Sequence, residues 1–232
     1  DIGCSGWGNN ELQCYLGAEE KNARQENGHL VIDVVVEEIQ GHHFSSARLK
    51  SLESWAYGKF EARARMPSGH HLWPAIWLFP KYQKYGMWAA SGEIDIMELK
   101  GDKPTVTQGT IHYGGSWPNH IHSGSGEKDF GVDFSKEFHT FSLEWDHKEM
   151  RWFVDDKQYH SENIDRDLYS GKGPNPYTKH GQPFDQKFHW ILNCAVGGQF
   201  FGDGPYVSPA EARNWAKHTV EFDYVRVYEW KA

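Results

Sequence analysis

Apolar and polar residues alternate with period two along almost the whole chain, and helical periodicity is nearly absent. In residues 59–66, Phe60, Ala62, Ala64 and Met66 fall on one face and Glu61, Arg63 and Arg65 on the other. Residues 139–145 repeat the pattern, with Phe141, Leu143 and Trp145 opposing Thr140, Ser142 and Glu144. Asp146-His147-Lys148-Glu149 reads as a turn, and residues 150–155 as the returning hairpin strand. Further strands are predicted over residues 30–39, 188–196 and 219–230. Gly-rich breaks fall at Gly114-Gly115 and in residues 124–126, 171–176 and 197–204. One short helix is expected: Ser208 as N-cap, Pro209 in the first position and Glu211 three residues after the cap. Strands spread over the full length, without repeat or linker, predict an all-β fold, a two-sheet antiparallel sandwich forming one domain over residues 1–232.

A chain of 232 residues can bury a core without metal or disulfide staples. The formal net charge of -8 makes nucleic acid and anionic membrane surfaces poor partners. No apolar run approaches the roughly 18 residues needed to cross a bilayer. The opening Asp1-Ile2-Gly3-Cys4 reads as a mature or trimmed product. In a secreted protein Cys4 would pair with Cys14 and leave Cys194 as a buried thiol; in a cytosolic one all three would be reduced.

Chemistry concentrates in Ser91-Gly92-Glu93-Ile94-Asp95-Ile96-Met97-Glu98-Leu99. In a regular strand Glu93 and Asp95 share a face, but Glu98 falls on the other. One extra residue in a β-bulge at Ile96-Met97 would bring all three acids to one side. Adjacent carboxylates repel, so a purely structural role is costly. Glycoside hydrolysis needs such a group, a divalent metal site is the rival, and a solvated acidic face is the third reading. Aromatic residues favour the first. The chain is 15% aromatic, with 11 Trp, and Trp73, Trp77 and Trp88 precede the acids while Trp117 follows them. Flat aromatic faces stack on the apolar C–H faces of pyranose rings. Trp77, inside Ala75-Ile76-Trp77-Leu78-Phe79, reads equally well as core.

Gly92-Glu93-Ile94-Asp95-Ile96-Met97-Glu98 resembles the Glu-x-Asp-x-x-Glu signature of glycoside hydrolase family 16. Seven further blocks, in order along the chain, resemble its laminarinase branch. They are Gly6-Trp7-Gly8-Asn9-Asn10-Glu11-Leu12-Gln13, Ser46-Ala47-Arg48-Leu49, Trp73-Pro74-Ala75-Ile76-Trp77, Gly109-Thr110-Ile111-His112-Tyr113-Gly114-Gly115, Phe138-His139-Thr140-Phe141-Ser142-Leu143-Glu144-Trp145, Leu192-Asn193-Cys194-Ala195-Val196-Gly197-Gly198 and Asp223-Tyr224-Val225-Arg226-Val227-Tyr228. The resemblance implies a jelly-roll sandwich of two curved sheets with a concave substrate groove. It implies a retaining endo-β-1,3-glucanase acting by double displacement on laminarin-like glucans, with mixed-linkage β-1,3-1,4-glucan and transglycosylation as extensions.

By the same resemblance Glu93 is the nucleophile, Glu98 the acid/base and Asp95 the helper carboxylate. His112 is expected beside the acid/base and Trp88 on the floor of the central subsite. Asn22, Arg48, Trp73, Trp77 and Trp117 are expected to line the subsites. The extra residue Met97 points to the β-1,3-glucanase type; agarases and carrageenases of the family also carry it, and the negative charge disfavours sulfated substrates. The family commonly has an acidic strand ahead of the Gly-Trp-Gly-Asn block, which contributes to a structural calcium site with an Asp such as Asp223. Without that strand calcium is left open and no cofactor is expected to be required. A secreted monomer is expected, with β-1,3-glucan as partner. Two alternatives compete. Noncatalytic glucan-recognition relatives lose the carboxylates that are present here. A His-rich metalloenzyme would draw on the 14 His, but His42-His43 and His70-His71 lack the i, i+4 spacing of a zinc helix.

Overall fold

The computed structural model describes residues 1–17, 19–202, 204 and 206–230. Among these, the strands assemble as two seven-stranded sheets and one three-stranded sheet. The outer sheet runs Lys157–Asn163, Glu149–Val154, His139–Trp145, Gly58–Arg65, Thr219–Tyr228, His29–Asp33 and Ala23–Glu26, every neighbour antiparallel. The inner sheet runs Ile121–Gly124, Val106–Tyr113, Glu93–Glu98, Leu72–Pro80, Phe188–Val196 and Arg48–Lys50, with Lys128–Asp129 also on Val106–Tyr113. The two-sheet sandwich that the alternation predicts is present, in the jelly-roll form that the resemblance implies.

The alternation also chooses the core. Phe60, Ala62, Ala64, Phe141, Leu143 and Trp145 project from the outer sheet into one buried cluster. Ile76, Leu78, Ile94, Ile96, Met97 and Ile111 meet them from the inner sheet. Much of the aromatic content is here: Phe60 packs on Trp55, Trp145 and Trp190 with ring centroids 6.4, 5.9 and 5.6 Å away. Phe60→Ala is expected to cost about 3–5 kcal/mol, since the neighbouring rings cannot collapse into the void. Denaturant unfolding measures it; a loss below about 1 kcal/mol would mean the core repacks.

One predicted strand is corrected. Residues 30–39 form two strands, His29–Asp33 and Val35–Ile39, which lie in different sheets. The first pairs with Thr219–Tyr228. At Val34 the chain crosses over, held by Val34 N–H to the His218 carbonyl at 3.1 Å. The second strand then pairs with His42–Ser46, which runs parallel to Gln13–Tyr15. Val recurs through both, buried at Val31 and half-buried against the core at Val36, so period alone does not reveal the crossing. The last predicted strand, residues 219–230, ends earlier, as Thr219–Tyr228.

The helix is Pro209–Ala212, with the reciprocal Ser208–Glu211 capping box. Cys4 and Cys14 are disulfide-bonded, and Cys194 is free and buried. No helix among the described residues is long and apolar enough to cross a membrane.

Candidate active site

The bulge at Ile96-Met97 is present. Ile76 faces Met97 and Trp77 faces Asp95, so the strand Glu93–Glu98 carries one residue more than its neighbour. On the other side Gln108 faces Glu98 and Thr110 faces Asp95, again one residue short. Ile94, Ile96, Met97 and Leu99 all enter the core, while Glu93, Asp95 and Glu98 share the opposite face.

Gly109 and Trp152 explain how the bulge is held. A bulge leaves ladder groups unpaired, and a buried unpaired carbonyl is costly. Trp152, fully buried and reaching across the core from the outer sheet, donates its indole N–H to the Asp95 carbonyl at 2.9 Å. Gly109 lies where the register shifts, and a Cβ there would stand 2.3 Å from the Trp152 ring. Trp152→Phe keeps the bulk and removes the donor, so a stability loss of about 1–3 kcal/mol is expected. Denaturant unfolding tests this; an unchanged midpoint would mean the carbonyl finds another donor. Gly92 opens the strand at φ +86°, where a Cβ would meet Pro183, Phe184 and Phe188 at 3.1 Å.

Each carboxyl has its own partners. Glu93 accepts the Trp88 indole N–H at 3.0 Å, and His112 Nε2 stands 3.9 Å from its other oxygen. Asp95, 4% exposed, has His112 Nε2 at 3.3 Å. Glu98 accepts from Trp73 Nε1 at 3.1 Å and from Gln108 Nε2 at 3.2 Å. His112 therefore stands beside Asp95 and Glu93 and not, as expected, beside the acid/base candidate. Register is the cause: His112 pairs with Glu93, and Gln108 takes the place opposite Glu98.

Burial raises the pKa of all three carboxyls. For Glu93 the His112 charge, the Trp88 bond and Arg48 pull the other way. Asp95 lies well above the usual range, through burial and then the charges of Glu93 and Glu98. For Glu98 the opposing influences are the Gln108 bond, His112 and the Trp73 bond, and Glu93 adds to the rise. Burial would lower His112, but the Asp95 bond and the three negative charges win and carry it up to about 9. Asp95→Asn is expected to move the His112 titration, followed by NMR, down from about 9, since its bonded anion is gone. An unmoved midpoint would remove Asp95 from the network.

Glu93, Asp95 and His112 offer ligand atoms within 4.8 Å of one another, a grouping able to hold a metal. Glu98, bonded to Trp73 and Gln108, stands outside that group, and a metal reading gives it no role. The other such group, Cys4, Cys14 and His42, has both sulfurs in the disulfide. Asp223, the residue that would correspond to the family's calcium ligand, accepts a bond from Arg63 at 2.5 Å and belongs to no His, Cys, Asp and Glu side-chain cluster among the described residues.

The sequence profile of the glycosyl hydrolases family 16 matches residues 10–179. The chain belongs to glycosyl hydrolase family 16. It is 47% identical over 235 residues to a glucan endo-1,3-beta-glucosidase of Cryptopygus antarcticus, covering 99% of this chain and 85% of that protein. The laminarinase of Rhodothermus marinus superposes with a TM-score of 0.84 at 39% identity, covering 100% of this chain and 90% of that one. A family 16 non-specific endo-beta-1,3(4)-glucanase superposes with a TM-score of 0.81 at 35% identity, covering 100% and 84%.

On this family 16 scaffold, most of the expected site residues converge. Trp73 and Trp77 lie on the strand next to the acids, separated by the small Ala75, which faces Glu98. Trp88 and Trp117 have ring centroids 6.2 Å apart, and Trp117 is 68% exposed. Arg48 lies on the sheet edge opposite Asn193, its guanidinium 4.7 Å from the Trp77 ring. Asn22 does not join them. It is fully buried, and its Nδ2 donates to the Asp33 carbonyl and to Ser45 Oγ, both at 3.0 Å, tying the outer sheet to the small one. Its polar side chain braces the fold there.

Gln108, His120 and Phe200 were missed. Gln108 shares a face with His112 by simple alternation, so the period already placed it. His120 packs 4.6 Å from Trp88 and 5.1 Å from Trp117, and Phe200 stacks on Trp73 at 4.5 Å. Both come from irregular segments, where no periodicity marks which way a side chain points.

Proposed function

We propose that this family 16 chain is a retaining endo-β-1,3-glucanase in which Glu93 is the nucleophile, Glu98 the acid/base and Asp95 a proton-sharing helper. One observation carries the assignment. Glu93 faces the positive charge of His112 at 3.9 Å, and Glu98 is bonded only to the neutral donors Trp73 and Gln108. The better-countered carboxyl ionises first, so Glu93 attacks the anomeric carbon while Glu98 gives its proton to the departing oxygen. Trp73 and Gln108 then steady the Glu98 carboxylate, which takes a proton from the water that opens the glycosyl–enzyme ester. Asp95, paired with His112 at 3.3 Å, shares a proton with its neighbours, so the cluster does not carry three uncompensated charges.

Trp88, His112 and Trp117 sit on one side of the acids and Trp73, Trp77 and Arg48 on the other, which suits a long chain threading past the cluster. The similarity to an endo-1,3-glucosidase, a laminarinase and a non-specific 1,3(4)-glucanase supports laminarin as substrate and mixed-linkage glucan as a second one. The Cys4–Cys14 bridge suits an oxidising compartment, hence secretion, and the reading needs neither cofactor nor second subunit. Proton NMR of the first products from laminarin is the test. Retention gives the β-anomer before mutarotation; α-anomer appearing first would overturn the double displacement. Lichenan and agarose alongside fix the substrate range, and activity lost in EDTA would restore the metal reading.

A further inference from the structure

Glu11 is a carboxylate that the proposed reaction does not use. It is 8% exposed, in the segment before Gln13–Tyr15. This segment closes against the end of Phe188–Val196: Glu11 bridges to Gly197, and Leu12 N–H donates to the Val196 carbonyl at 2.9 Å. The carboxylate accepts from Gln13 Nε2 at 2.7 Å, Asn9 Nδ2 at 3.3 Å and the Tyr15 hydroxyl at 3.3 Å. The chain of contacts continues outward. The Tyr15 hydroxyl accepts from Asn193 Nδ2 at 3.0 Å, and Asn193 Oδ1 accepts from Trp77 Nε1 at 2.7 Å. Arg48 sits between the Trp7 and Trp77 rings, 4.7 Å from each, with Nε donating to Asp1 at 3.1 Å. Its positive charge is felt at both Glu11 and Glu93.

Two features argue against a bland structural carboxyl. A buried carboxylate is expensive, and an amide would satisfy much of the same hydrogen bonding without the charge. The contacts are also directional: each link orients the next, and the last is an indole two residues along its strand from the alanine that faces Glu98. An indole that can swivel about its Cβ loses a stacked sugar.

We propose that Glu11 is a positioning residue for glucan binding, which through Tyr15 and Asn193 fixes the Trp77 indole, so that this wall meets the sugar chain in one geometry. This rests on the glucanase reading above. Its substrate is the stretch of β-1,3-glucan lying beyond the bond being cleaved, so its effect falls on long chains and on KM.

The experiment compares Glu11→Gln, Glu11→Ala and Tyr15→Phe with the parent on laminari-oligosaccharides of increasing length. Active sites are titrated so that kcat refers to folded enzyme, and thermal unfolding checks that each variant is folded at the assay temperature. Glu11→Ala is expected to raise KM for the long substrates about tenfold, the worth of one lost hydrogen-bonded link, with kcat within about twofold. Glu11→Gln restores part of that, and Tyr15→Phe added to Glu11→Ala costs little more, because the two lie on one path. In a Glu93→Gln background, calorimetric binding of a long laminari-oligosaccharide weakens by the same factor. The proposal is overturned if KM is unchanged, if the loss is equal at every chain length, or if it lies wholly in kcat or in the folded fraction. A parent enzyme that leaves laminarin intact would instead overturn the functional reading, and the binding measurement still decides the role of Glu11.

Discussion

Glu93→Gln is expected to lower kcat on laminarin on the order of 10⁴-fold or more, because it removes the atom that forms the glycosyl–enzyme bond. The amide keeps an acceptor for the Trp88 indole, so the pocket retains its shape. The stability change should run opposite to the activity change. Burial raises the Glu93 carboxyl above its ordinary value, so the folded state binds that proton more tightly than the unfolded chain. Stability therefore falls as pH rises above about 4.3, the ordinary glutamic acid value. The neutral amide escapes that cost. Glu93→Gln should be at least as stable as the parent at pH 7, and the advantage should shrink as pH falls toward 4. Thermal unfolding at both pH values, with turnover on the same samples, checks both halves. Turnover within tenfold of the parent would remove Glu93 from the chemistry, and a lower melting temperature at pH 7 would mean that the carboxylate stabilises the site.

The fold was legible where one face of a strand is buried and the other is wet. Phe60 to Met66 and Phe141 to Trp145 announce themselves because each second side chain enters the core. The valines of residues 31–36 could not show that the chain changes sheets at Val34, since Val31 is buried in one sheet and Val36 packs half-buried on the core from the other. The bulge at Ile96-Met97 was legible for a chemical reason: three acids make sense together only if one residue is extra. Its support was not legible, because Trp152 lies 57 residues from Asp95 and reads as ordinary core. The same holds for Glu11, whose link through Tyr15 to Asn193 forms because its segment bridges to the end of Phe188–Val196, far along the chain. Asn22 fails in the other direction: a polar residue in a matching pattern is indistinguishable in sequence from one lining a groove, and only packing shows that Ser45 and Asp33 enclose it.

Glu98→Ala should separate the two half-reactions. Against laminarin the departing sugar oxygen needs a proton, so losing the acid is expected to cut kcat by about 10²- to 10⁴-fold. An aryl laminaribioside with a dinitrophenolate leaving group needs no such help. Its first step should stay fast, and the covalent intermediate on Glu93 should accumulate, because no base remains to activate water. A burst of dinitrophenolate followed by a slow steady state is the expected trace. Azide, a nucleophile that needs no deprotonation, should enter the space vacated by the carboxylate and accelerate the slow phase. The product should be the β-glycosyl azide, since two inversions restore the starting configuration. Glu93→Ala with azide should give the α-azide by a single inversion, with Glu98 still serving as acid. Two outcomes would reverse the assignment: equal losses on laminarin and on the aryl glycoside with no azide effect, or α-azide from Glu98→Ala. The second would make Glu98 the nucleophile, which the pairing of His112 with Glu93 argues against, because that register sets the His112 cation beside Asp95 and Glu93 and Gln108 opposite Glu98.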